Sequence, residues 1–126
     1  MNAEPLNDEQ GHVLGEEWVS AWNAHDLDTI MALYAPNVIF QTPTAIATLG
    51  IPDGRIEGID TLREHFARGL ARLPDLRFDL EQIYVGVRSI AITYRWADGT
   101  PVAELHEYDE NNLIDRVQAL YVGLSW

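Results

Sequence analysis

Apolar residues recur at helical spacing along the first part of the chain and at strand spacing along the last. Leu14, Trp18, Ala21 and Trp22 fall within one ~100° arc, which predicts a helix capped by Asn7 or Asp8 and running to about Asn23. Gly11 and Gly15 interrupt it at ~1 kcal/mol each relative to alanine, so a close backbone neighbour is expected there. Asp26 caps a shorter second helix with Leu27, Ile30, Met31 and Tyr34 on one face. Pro36 ends it by biasing Ala35 out of helical geometry. Residues 37–42 read as a strand through Val38, Ile39 and Phe40, stopped by Pro43. Residues 44–54 read as a loop, uncharged until Asp53 and carrying Ala45, Ile46, Ala47, Leu49 and Ile51. An apolar loop of this length is either a lid over a cavity or a segment packed on the core or between subunits.

Arg55-Ile56-Glu57 follows as a brief edge strand. A third helix begins at Asp60 or Thr61, with Ile59, Leu62, Phe66 and Leu70 at helical spacing, and Pro74 closes it. The pattern then changes to period two: Leu76, Phe78 and Leu80 alternate with charged residues, and Ile90, Ile92, Tyr94 and Trp96 alternate likewise. Asp98-Gly99 is a strong hairpin signal before Val102, Asn111-Asn112 a weaker one before a last strand from about Leu113 to Val122. The expected fold is therefore α+β: three N-terminal helices on a curved antiparallel sheet that wraps them as a cone-shaped barrel, in one domain covering residues 1–126. The wide end of such a cone can stay open as a small-molecule pocket.

Composition narrows the partners. Twenty acidic residues against eight arginines, with no lysine, give a net charge of −12. A chain this acidic repels phosphate backbones, so neither nucleic acid nor a membrane surface is an expected partner. Arg63, Arg68 and Arg72 cluster, but Glu64 precedes Arg68 by four residues, so a solvated helix face stands against an anion site. There is no apolar run long enough to span a bilayer, no secretory leader, and no cysteine, which together suggest a cytoplasmic protein.

Several stretches resemble a known superfamily. Ala21-Trp22-Asn23-Ala24-His25-Asp26-Leu27-Asp28, followed by Ala32-Leu33-Tyr34-Ala35-Pro36-Asn37-Val38-Ile39-Phe40, resembles the opening of the nuclear transport factor 2-like proteins. Gly58-Ile59-Asp60-Thr61-Leu62-Arg63-Glu64-His65-Phe66 resembles their third-helix entry, and Asn112-Leu113-Ile114 their terminal hairpin. The nearest-looking branches are the SnoaL-like polyketide cyclases and the ketosteroid isomerases. The resemblance implies the cystatin-like α+β roll but not the activity. Where ketosteroid isomerases place a tyrosine and two aspartates, this chain has Trp18, Thr42 and His106. The cyclases' aspartate falls at Ala119, or at Gln118 after a one-residue slip.

Proton abstraction next to a carbonyl needs a base and donors aimed at the developing oxyanion. Of four histidines, His12 and His25 read as surface or capping residues and His65 as a core-edge residue. On a regular strand Val102, Glu104, His106 and Tyr108 share a face, with Ala103, Leu105 and Glu107 opposite. The resemblance points the first set inward, making His106 the candidate catalytic base and Glu104 the candidate carboxylate that orients it; a one-residue slip would put both in solvent. Trp18, Tyr34, Thr42, Phe66, Tyr108, Val117 and Tyr121 are the candidate ligand-binding residues. The resemblance also puts Asp115 and Ala119 inside. No metal or other cofactor is expected. The candidate functions are an isomerase, cyclase or dehydratase acting on a hydrophobic carbonyl compound, or a non-catalytic binder of a small apolar ligand. If Ile90, Ile92, Tyr94 and Trp96 face outward, a homodimer through the outer sheet face would bury them.

Overall fold

Helix α1 (Asp8–Asn23) lies against strand β3 (Phe78–Val85) because two glycines let it approach. A Cβ on Gly11 would stand 2.4 Å from Val85 Cγ2, and one on Gly15 2.6 Å from Ile83 Cδ1. The computed structural model describes residues 3–124. The start of α1 is a reciprocal capping box: Asn7 Oδ1 accepts from the Gln10 amide at 2.8 Å, and Gln10 Oε1 accepts from the Asn7 amide at 3.0 Å. The other helices are α2 (Leu27–Met31), α3 (Pro43–Leu49) and α4 (Ile59–Arg72). The other strands are β1 (Tyr34–Gln41), β2 (Arg55–Glu57), β4 (Ser89–Trp96), β5 (Pro101–Tyr108) and β6 (Ile114–Tyr121).

The six strands form one open sheet in the order β2-β1-β6-β5-β4-β3. All pairs are antiparallel except β1 with β6, which is parallel. The helices rest on the sheet's concave side, and the buried side chains join into one apolar cluster there. This is the expected α+β roll, with a fourth short helix and one parallel pair added.

Four local expectations need correction. Tyr34 belongs to β1, not to the second helix, because α2 closes after a single turn at Met31 and Ile114 N bonds to Leu33 O. Pro36 then lies within β1, where pairing with β6 is interrupted between Tyr34 and Ile39, so its missing N–H costs no ladder bond. Residues 43–49 are helical: Pro43 at the first helical position follows a Thr42 cap, and Gly50 ends the helix at φ 66°. In β3 a bulge between Leu80 and Gln82 switches the inward parity, so Phe78 and Ile83 are buried while Leu80 is 37% exposed.

The row Ile90, Ile92 and Tyr94 faces the helices and is fully buried, with Trp96 half-buried at its end. The outward row proposed as a dimer face therefore does not exist. The outer faces of β5 and β6 instead expose Leu105, Glu107, Arg116, Gln118 and Leu120. No helix among the described residues is long and apolar enough to cross a membrane.

Candidate functional site

The concave side of the sheet is not fully filled. A cavity of about 260 Å³ remains between α1, α3, α4 and strands β1, β3, β4, β5 and β6. Its floor is aromatic. Trp18 stacks on Phe78 at 5.5 Å between ring centroids, and Tyr94 lies 4.3 Å from Phe78; Trp22 meets Phe66 edge-on at 4.7 Å. These rings are held by α1 and α4 on one side and by the strands on the other, so this floor is set by packed regular elements.

Into this apolar space projects one carboxylate. Glu104 is 5% exposed and lines the cavity, because Val102, Glu104, His106 and Tyr108 do share the inward face of β5. Both of its oxygens are bound. Tyr94, diagonal to it across the β4–β5 ladder, donates its hydroxyl to Oε2 at 2.6 Å, and His106 Nε2–H donates to Oε1 at 3.0 Å. An ionised carboxylate is acceptor-only, which assigns the Nε2 proton to His106. His106 Nδ1 has no partner, and the ring sits edge-on to Trp18 at 5.0 Å.

In the same cavity, Trp18 Nε1–H donates to the Tyr34 hydroxyl oxygen at 2.9 Å. No acceptor for the Tyr34 proton occurs among the described residues, which leaves it free to donate to a bound molecule. Burial, reinforced by the Glu104 charge, pushes the phenols of Tyr34 and Tyr94 well above their usual range, and that of Tyr121 up to about 12. All three stay protonated, as donors, at neutral pH.

Of the residues singled out from sequence, Trp18, Tyr34, Thr42, Phe66, Glu104 and Tyr121 line the cavity. His106, Tyr108 and Val117 do not. His106 is fully buried behind Glu104, Val117 is packed in the core, and Tyr108 is buried with its hydroxyl unpartnered. Ala119 faces inward, whereas Asp115 is half-buried: a bulge at Glu107 and Tyr108 gives its inward place to Ile114. Burial, with the Asp109 charge, raises the Asp115 carboxyl.

Sequence reading missed Tyr94, the second partner of Glu104, because its row was weighed as a face of the sheet and not as a source of site residues. The exposed mouth is lined by His65, Arg68, Arg72 and Leu73 of α4 and its end and by Thr44, Thr48 and Leu49 of α3, so the apolar segment 44–54 does contribute to the cavity, as the lid alternative expected. Glu64 and Arg68 form no ion pair; Arg63 pairs with Asp28 instead. Burial, followed by the charges of Arg68 and Arg72, lowers the His65 imidazole below its usual value. Among the described residues no group of three His, Cys, Asp or Glu is placed to hold a metal ion.

The profile of the SnoaL-like domain family matches residues 16–109. Among solved structures, a SnoaL-like protein of unknown function from Burkholderia thailandensis is 32% identical, at a TM-score of 0.91 over 95% of this chain and 100% of that one. A protein of unknown function with a cystatin-like fold from Methylobium petroleophilum is 15% identical, at a TM-score of 0.75 over 97% and 82%. A candidate isomerase of the SnoaL-like family from Agrobacterium tumefaciens is 17% identical, at a TM-score of 0.72 over 91% and 99%. No curated protein matches the chain.

Proposed function

The chain belongs to the SnoaL-like domain family, and on that premise we propose that it is an isomerase, cyclase or dehydratase that moves a proton on a hydrophobic carbonyl compound without a cofactor. The observation that carries this reading is the buried carboxylate of Glu104 in an apolar cavity that Tyr34 also lines, its hydroxyl proton without an acceptor among the described residues.

The roles expected from sequence are exchanged. His106 does not reach the cavity, so Glu104 is the base and His106 a positioning residue. A free lone pair on a Glu104 oxygen takes the proton from the carbon next to the carbonyl. The C–H electron pair moves into the new C=C bond and the carbonyl electrons onto oxygen, where the Tyr34 hydroxyl donates to the enolate. Where the substrate carries a C=C beside the carbon that loses the proton, the enolate is conjugated: the oxygen electrons re-form the carbonyl, the new C=C shifts into conjugation with it, and the far carbon takes the proton back from Glu104, completing an isomerisation with no net change in atoms. Tyr94 O–H and His106 Nε2–H hold the carboxylate in place between the two transfers.

The second reading is a non-catalytic binder. It is favoured by Trp18 and Thr42, which line the cavity at positions where the resembling enzymes carry a tyrosine and an aspartate and make it drier, and by Ala119, which leaves no carboxylate at the cyclases' position. The test is proton exchange on 2-tetralone in D2O, followed by NMR. Wild type accelerates loss of the α-proton signals, and Glu104→Gln lowers that rate at least ~100-fold, the usual contribution of a general base. A wild-type protein whose melting temperature rises with 2-tetralone but which exchanges nothing is a binder. Dimerisation through the outer sheet face is also proposed, now resting on the exposed Leu105 and Leu120 of adjoining strands; a monomer by sedimentation refutes it.

A further inference from the structure

The eight arginines of this acidic chain are not equally engaged. Arg55, Arg63, Arg77 and Arg95 form ion pairs, and Arg88 donates to the carbonyls of Glu4 and Asp109 and to Asn112. Arg68 and Arg72 have no hydrogen-bond or ion-pair partner among the described residues, and both line the cavity mouth. Arg116 also lacks a partner but lies on the outer face of β6. Arg72 stands in the last turn of α4, where a cation complements the helix dipole; that accounts for Arg72 but not for Arg68, one turn earlier on the same face.

Two further observations concern the same place. Among the described residues no carboxylate lines the cavity except the buried Glu104, so in a chain of net charge −12 the guanidiniums of Arg68 and Arg72 stand at the mouth with no ion-pair partner there. Trp96, which lines both the mouth and an adjoining groove of about 330 Å³ beside Arg72, has a buried Nε1–H with no acceptor. The carboxylates of Asp75 and Asp98 line that groove but not the cavity, and neither pairs with Arg72; three donors of the kind that bind a carboxylate thus line the cavity without an acceptor, and guanidinium forks match that group's two oxygens.

We propose that the natural ligand is an amphipathic carboxylic acid, its apolar body in the cavity and its carboxylate held at the mouth by Arg68 and Arg72, with Trp96 Nε1–H as a third donor. The opposite orientation would put two carboxylates together at Glu104 in an apolar space, which Coulomb repulsion and desolvation both oppose. The proposal rests on the cavity being the ligand site, as read above, but not on the proton transfer.

Calorimetric titration of 6-hydroxy-2-naphthoic acid against 6-hydroxy-2-naphthamide tests it, since the two probes share one frame and differ in the anionic group. Wild type binds the acid at least tenfold more tightly than the amide. In an Arg68→Gln/Arg72→Gln double variant the preference falls to within twofold, and Arg68→Lys/Arg72→Lys keeps part of it. An amide bound as tightly as the acid by wild type overturns the proposal, as does a Gln variant with the preference intact. Binding of neither probe overturns it together with the reading of the cavity. A preference for the acid without proton exchange on 2-tetralone sustains this proposal and removes the enzyme, whereas exchange without preference does the reverse.

Discussion

Replacing Tyr94 by Phe tests whether the buried carboxylate is held as the geometry implies. The substitution removes one oxygen and keeps the ring, whose centroid lies 4.3 Å from that of Phe78 and 5.4 Å from that of Trp18. Packing is therefore preserved and the loss is the O–H donor to Glu104 Oε2 at 2.6 Å. A hydrogen bond to a charged acceptor contributes about 1.5–3 kcal/mol. With Glu104 5% exposed, bulk water replaces that donor poorly, although the cavity beside it admits some compensation. A loss of about 2 kcal/mol follows, or ~8 °C in melting temperature for a chain of this length. Urea denaturation followed by far-ultraviolet circular dichroism at pH 7 measures it directly. The decisive arm is a double-mutant cycle with Glu104→Gln. Against a neutral acceptor the same hydroxyl contributes only about 1 kcal/mol, so the pair couples by about 1 kcal/mol. A Tyr94→Phe variant within ~0.5 kcal/mol of wild type, or one equally destabilised in both backgrounds, would refute the claim that this hydroxyl supports a charge.

Tyr34→Phe should slow proton exchange on 2-tetralone by about 10²–10³-fold, the cost of losing one oxyanion donor; a change below fivefold in the NMR rate would remove Tyr34 from that role. The buried phenols of Tyr34, Tyr94, Tyr108 and Tyr121 all have folded-state values raised above the unfolded ~10. Their contribution is complete below pH ~10 and is lost as pH climbs toward about 12 and beyond. Denaturation midpoints should fall steeply above pH 10, with tyrosinate absorbance from these rings appearing together with unfolding; absorbance that precedes unfolding would contradict their burial. Gly11→Ala gains ~1 kcal/mol of helix propensity but drives a methyl into Val85, at about 1–3 kcal/mol for overpacking. The expected net is a loss of about 1 kcal/mol by urea titration, and a stabilised variant would show that α1 can lift off β3.

What the chain reveals about its fold depends on how each element is stabilised. Helix α1 was legible in detail, since its cap, its apolar arc and its two glycines are all local signals with local causes. The region from α2 to α3 was not. Tyr34 fits a helical face as well as a strand, and only pairing with β6, some eighty residues later, decides it. Thr42-Pro43 carries both a strand stop and a helix start; Pro43 at the first helical position and Gly50 at the end mark the short helix that an apolar composition disguised as a loop.

The site shows the same division more sharply. Period-two alternation correctly grouped Glu104 with His106, and burial confirms which face they occupy. Alternation says nothing, however, about depth along that face. Successive inward residues of β5 lie at different distances from the open end: Glu104 falls where the floor is still hollow, and His106 where Trp18 and Val117 already fill it. Histidine's solution chemistry made it the natural choice of base, but access to a substrate is decided by the packing of three other elements. The partner that completes the carboxylate's environment, Tyr94, lay hidden for a related reason. An apolar row ending in aromatics reads equally well as a core or as an interface, and a hydroxyl within it signals a buried acceptor only once the neighbouring strand's register brings Glu104 alongside.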